Sequence, residues 1–166
     1  MAWTFNDLLE TLSLVTLLLA FKMVVTNVIW GLRKGRAGQR APEDGAQNNA
    51  APTAEDIARA ERAGRVVQND LENIPIALIT FIVATICIGF VQGSSDLEDY
   101  IQAVVAFLIA FAAARYLHSI VYLLGLPSMV RTLFWFIGVL AFMGAGIVAV
   151  IAAFDDGTGA GSNNNP

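Results

Sequence analysis

Three groups of polar residues stand in an otherwise apolar chain, and each is spaced to gather on one side of a helix. Glu61, Arg65, Asn69 and Glu72 recur at i, i+4, i+8 and i+11, which at 3.6 residues per turn is one narrow face. Arg115, His118 and Tyr122 recur at i, i+3 and i+7, and Arg131 with Thr132 opens a further apolar run. Guanidinium groups offer forked hydrogen bonds to a carboxylate, and a carboxylate offers a partner to an amine. The set therefore suits a small ligand carrying both. Charge on a lipid-embedded helix is costly and is kept where it faces a partner, a cavity or a ligand. Each residue also has a purely structural reading. Glu72 and Arg115 could form a buried ion pair that fixes helix register. His118 could be an interhelical hydrogen bonder, and Tyr122 and Arg131 interface anchors.

The elements that must position these groups are membrane helices. Of the 166 residues, 56% are hydrophobic and only 14% charged, and mean hydropathy is +0.61. A soluble domain would carry about a quarter charged residues, so the composition implies an all-α integral membrane protein. Four spans are expected, at 8–32, 56–91, 100–124 and 129–154, with a polar connection at 33–55 and a polar, disordered tail at 155–166. Thr53 followed by Glu55 and Asp56 reads as a capped helix start beyond Pro52. Pro75 falls where polar sequence gives way to apolar, and predicts a kink or wide turn. Residues 92–99 suit a brief hairpin between antiparallel helices, and 126–128 a tight turn. Lys22, inside the first span, is expected to snorkel or to pair with a carboxylate on a neighbouring helix. The single cysteine, Cys87, allows no intrachain disulfide and reads as a small buried hydrophobe. The opening residues carry no Lys or Arg, and the apolar stretch that follows is too long for a cleavable signal.

Nine of the ten cations fall at one end of a four-span bundle, Lys22 being the exception. The positive-inside rule then places the 33–55 connection in the cytoplasm and both termini outside. Antiparallel packing brings the start of span two, the end of span three and the start of span four together at that same end. The three polar groups thus meet at one depth.

Two stretches are similar to a known family. The segment ERAGRVVQNDLENIPI resembles the second-helix signature of the membrane-associated proteins in eicosanoid and glutathione metabolism (MAPEG). RYLHSIVYLLGLPSMVRT resembles that family's R-x-x-H-[ST]-x-x-Y segment, with an arginine nine residues after the tyrosine. KMVVTNVIWGLRK and APED resemble its first helix and N-P-E-D loop. The resemblance covers about residues 22–132 and is closest in character to microsomal glutathione transferase and prostaglandin E synthase. It implies a four-helix protomer, a homotrimer, and glutathione bound between neighbouring protomers as co-substrate. Carried over by position, it implies that Arg65, Asn69 and Glu72 hold the charged ends of glutathione and that Arg115, His118 and Tyr122 line the same cavity. Lys34 would reach in from the adjacent subunit. Arg131 would stand at the sulfur with the Thr132 hydroxyl beside it, and Asp44 matches an aspartate assigned to prostaglandin isomerisation. Val67 and Gln68 stand where prostaglandin synthases have His-Arg, which points away from that chemistry, and Ala41 replaces the usual Asn before Pro-Glu-Asp.

The expected activity is therefore a membrane-bound glutathione transferase or glutathione-dependent peroxidase acting on lipophilic electrophiles or lipid hydroperoxides. Its partners would be copies of itself and membrane lipids, with no nucleic acid and no metal. The alternative is a non-catalytic scaffold or accessory subunit of a larger membrane complex, which would have no reason to keep Arg131 or the Asn69/Glu72 pair. A transporter or channel fits less well, because the polar cluster lies at one end and transport sites lie near the midplane.

Overall fold

The computed structural model describes residues 3–39, 51–91 and 93–155. Four helices make up the fold: α1 (Phe5–Arg36), α2 (Ala54–Phe90), α3 (Leu97–Leu123) and α4 (Ser128–Ala153). Each is long and apolar enough to cross a membrane, and the chain is a multi-pass, all-helical membrane protein. Asp44 and residues 156–166 lie outside the described residues.

Local chemistry fixes where the helices begin. Thr4 and Thr53 each cap a helix through a reciprocal pair. The threonine hydroxyl accepts from the third backbone N–H, and Asp7 or Asp56 accepts from the cap's own N–H. The basic residues Arg33, Lys34 and Arg36 occupy the last turn of α1, where they suit the negative end of its dipole. They prolong α1 a full turn past the expected boundary at 32. Pro75 does not break α2, which runs through it without interruption. A wide turn there is thus excluded. One lost backbone bond is tolerated in a helix held on both sides by its neighbours.

α3 ends in a glycine-closed turn. Gly125 has φ 73°, its N–H donates to Tyr122 O at 3.1 Å, and Leu126 N–H donates to Val121 O at 3.0 Å. This is the Schellman pattern, which needs a residue free to take the left-handed conformation. The turn falls at 124–127 instead of 126–128, and Pro127 serves as the N-cap of α4.

α2 and α3 touch every other helix, whereas α1 and α4 lie on opposite flanks and do not meet. The apolar core joins Leu8 and Leu19 of α1, Ile74, Phe81 and Ile88 of α2, and Val104, Leu108 and Phe111 of α3. α4 adds the small residues Ala141, Ala145 and Ala149. These last recur every four residues and let α4 approach closely. The Phe81 and Phe111 rings meet at 5.8 Å. Leu17, Phe21, Val24 and Val28 of α1 are exposed instead, as lipid contact requires. The exposed apolar band stops at one end with Leu32, Leu124 and Met129.

Across this core runs one buried ionic chain. Lys22 Nζ of α1 lies 2.5 Å from Asp70 Oδ2 of α2, and Arg115 Nη2 of α3 lies 2.7 Å from Asp70 Oδ1. All three side chains are nearly inaccessible. Lys22 thus pairs with a carboxylate across the helix boundary and does not snorkel. The partner of Arg115 is Asp70, and not Glu72, which is exposed. Removing one member of a buried pair leaves a charge uncompensated, at a cost of about 3–5 kcal/mol. Asp70→Asn strands two cations, so it should destabilise the bundle by about that amount. Lys22→Met leaves Asp70 with Arg115 and should cost less. Unfolding of both variants in detergent checks the order, and an Asp70→Asn protein as stable as the wild type would refute it.

Candidate functional site

α2, α3 and α4 converge at the arginine-rich end around a cleft of about 390 Å³. That volume lies within the range of small-molecule sites. α2 supplies Arg65 and Asn69, α3 supplies His118 and Tyr122, and α4 supplies Ser128, Arg131, Thr132 and Trp135. Six of these eight are residues whose helical spacing drew attention in the sequence. Ser128 and Trp135 were missed, although they stand one turn either side of Arg131 and Thr132 and share their face.

Stacking holds the floor of the cleft. The Arg131 guanidinium lies over the Tyr122 ring at 4.5 Å, and the His118 ring meets Tyr122 at 5.6 Å. A guanidinium stacked on an aromatic face keeps its N–H donors directed outward in the plane. The glycine turn after α3 makes this contact possible, because it folds the first turn of α4 back beside Tyr122. Arg131 Nε and His118 Nδ1 are buried and have no hydrogen-bond partner among the described residues. A buried polar atom without a partner is expensive, and a ligand in the cleft would relieve both.

Arg115 lies beneath the cleft and does not line it. Its Nη2 donates to Asn69 Oδ1 and to Asp70 Oδ1, each at 2.7 Å. With its oxygen engaged, Asn69 has its amide N–H groups to offer to the cleft. The ionic chain Lys22–Asp70–Arg115 carries two cations against one anion. Arg65 and Arg131 add two more positive charges in the cleft wall, and no carboxylate lines it among the described residues. The cleft is built for an anion.

The polar stripe of α2 is divided by the fold. Arg65 and Asn69 turn into the cleft, whereas Glu61 and Arg65 border a second cleft of about 420 Å³ between α1 and α2. The stripe is therefore a ridge between two depressions. Glu72 stands on the ridge, exposed, and accepts a hydrogen bond from Gln68 at 3.1 Å. It is not brought into the cleft of this chain. Nor is Lys34, whose ammonium lies 4.6 Å from the Trp30 ring on α1. Trp30 in turn presses on Gly64, where a Cβ would meet the indole at 3.0 Å. Asp70 is the residue that sequence reasoning passed over. A signal existed, since it sits on the face of α2 shared by Ala63, Val66, Ile74 and Ala77, all buried.

The fold and this site define a four-helix membrane protein with an arginine-lined cleft set into one end of the bundle. The MAPEG family model matches residues 12–151, and the chain belongs to that family. Its members are membrane proteins of glutathione-related and eicosanoid metabolism. No curated protein and no solved structure matches the chain.

Trp135 is 37% exposed at the cleft wall, while Trp3 and Trp30 lie outside it. A ligand that fills the cleft should displace water from the indole and blue-shift its emission. Trp135→Phe should abolish that response without abolishing binding. A full response retained in the variant would place the ligand elsewhere.

Proposed function

We propose that the protein is a glutathione transferase or glutathione-dependent peroxidase that binds glutathione in this cleft and holds it as the thiolate. The observation that carries the reading is Arg131, stacked on Tyr122 with a buried Nε that has no partner, in a wall that holds no carboxylate, among the described residues. Family membership supports the ligand class.

Glutathione brings two carboxylates, one ammonium and one thiol. Arg65 and the Asn69 amide suit a carboxylate, and Glu72 on the ridge suits the ammonium. Arg115 acts through Asn69 from below, and His118 and Tyr122 shape the wall. The cleft is open along the ridge, so a second copy packed there, in a homotrimer, would cover the ligand and bring its own Lys34 to it.

A free thiol has a pKa near 8.5, so little of it is ionised at neutral pH. Lowering that value by about two units takes roughly 2.7 kcal/mol, which one close, partly desolvated guanidinium can supply. Arginine does not take up the proton, so it stabilises the anion without quenching it. Thr132 donates a hydrogen bond to the sulfur. The thiolate attacks an electrophilic carbon, the S–C bond forms and the leaving group departs with its electron pair. With a hydroperoxide, the sulfur takes the terminal oxygen, the O–O bond breaks, and the alkoxide leaves and is protonated. A second glutathione thiol then displaces water from the sulfenic acid to give the disulfide.

No protein nucleophile is required. Cys87 lies about 27 Å along α2 from Asn69, at the other end of the bundle. The apolar substrate enters from the lipid beside Trp135 and the exposed Leu133 and Phe136. The arginine-rich end faces the cytoplasm, where glutathione is available, and the termini face outside.

Calorimetry on the detergent-purified protein should show glutathione binding that Arg65→Ala weakens at least tenfold, a loss of about 1.4 kcal/mol. Glu72→Ala should weaken it as well. Arg131→Ala should keep most of the affinity while losing the ultraviolet absorbance of bound thiolate and at least tenfold in turnover. Wild-type turnover in Arg131→Ala would overturn its assignment. The absence of binding in a folded sample would overturn the enzyme reading and favour a scaffold or accessory subunit.

A further inference from the structure

A separate cavity of about 140 Å³ sits where the end of α1 meets the start of α2, lined by Arg33, Arg36, Asp56 and Arg59. It shares no residue with the glutathione cleft. Three guanidinium groups face one carboxylate there, and that carboxylate is already engaged. Asp56 Oδ2 accepts from the Thr53 hydroxyl at 2.6 Å and from the Thr53 N–H at 3.3 Å as part of the helix cap. Glu55 reaches Arg59 at 2.5 Å, but the pair is largely exposed, with accessibilities of 68% and 49%. Such a surface pair is weak and easily displaced. Arg33 Nη1 donates to the Arg59 carbonyl at 3.3 Å, which ties the two helices and fixes the cavity's width. Arg36 is exposed and has no hydrogen bond or ion pair among the described residues. Like charges gathered this closely repel one another, and an anion between them relieves the repulsion.

The position in the membrane narrows the anion. The exposed apolar band of α1 ends at Leu32, one residue before Arg33. On α3 and α4 the band ends at Leu124 and Met129, and Gly125 lies against Arg62 at the same level, while α2 carries no exposed large apolar residue before Leu71. The α1 wall of the cavity therefore lies at the end of the apolar band, at the depth of a lipid phosphate, and its α2 wall lies on the polar side of that edge. Arginine forks match phosphate oxygens in pairs.

We propose that this cavity binds the phosphodiester headgroup of an anionic phospholipid, with Arg33, Arg36 and Arg59 as its donors. The lipid clamps the α1 end to the α2 start and anchors the arginine-rich end to an anionic leaflet. The site is independent of the glutathione reading, and its test uses no glutathione.

The probes are phosphatidylglycerol, phosphatidylcholine and inorganic phosphate, each titrated onto the detergent-purified full chain and read by native mass spectrometry. Phosphatidylglycerol should be retained at least tenfold more tightly than phosphatidylcholine. Each arginine removed should weaken it about fivefold. Arg36→Gln is the primary variant because Arg36 makes no hydrogen bond or ion pair among the described residues. Arg59→Gln, which disturbs only a surface pair, is the second, and their thermal unfolding should match that of the wild type. Equal retention of the two lipids, or wild-type retention in both variants, overturns the proposal. Displacement of phosphatidylglycerol by an equal concentration of inorganic phosphate would also overturn it, since the site would then be one for a free anion.

Discussion

Asp70 is the constraint on which the rest depends. A buried carboxylate is costly unless it is fully paired, and here the two oxygens of Asp70 are divided between Lys22 on one helix and Arg115 on another. The division ties α1, α2 and α3 at a single level and fixes their register, because a shift by one residue would separate charges that have no other ion-pair partner among the described residues. In a lipid environment, apolar packing supplies little preference between one helix neighbour and another. A charge triad supplies it. The same triad has a second consequence, since it leaves one positive charge in excess directly beneath the cleft.

From that anchor the site is assembled outward. Arg115 holds Asn69 by its oxygen, so the amide nitrogen turns to the cleft. The turn at Gly125 returns the chain so that the start of α4 lies beside Tyr122, and Arg131 stacks on that ring with no counter-ion among the described residues. This distinction matters for the chemistry. A guanidinium paired with a carboxylate would have little charge left to offer a thiolate, whereas one held by an aromatic face keeps it. The anionic thiol, the carboxylates of its peptide and the lipid phosphate at the α1–α2 junction would all answer to one feature, an arginine-rich end with few acids inside it.

Much of this was legible in the sequence because helices in a membrane obey short-range rules. The four apolar runs, the Thr53 cap and the grouping of Arg65, Asn69, His118, Tyr122, Arg131 and Thr132 followed from hydropathy, capping chemistry and the 3.6-residue period. Errors arose where a residue's role depends on what lies across from it. Glu72 and Asp70 are two residues apart, and both are carboxylates. Only the packing of α3 and α1 against one face of α2 makes Asp70 the buried partner and leaves Glu72 on an exposed ridge. Pro75 would break a helix in water, but a helix supported by its neighbours runs through it.

By itself, then, the sequence determined that this is a four-helix membrane protein with its charge gathered at one end, because chain hydropathy and helical periodicity are properties of neighbours along the chain. The tertiary structure alone decided which charges neutralise one another and which remain free to hold a ligand. That choice depends on distances of a few ångströms between different helices in a medium of low dielectric, where a paired charge and an unpaired one differ by several kcal/mol.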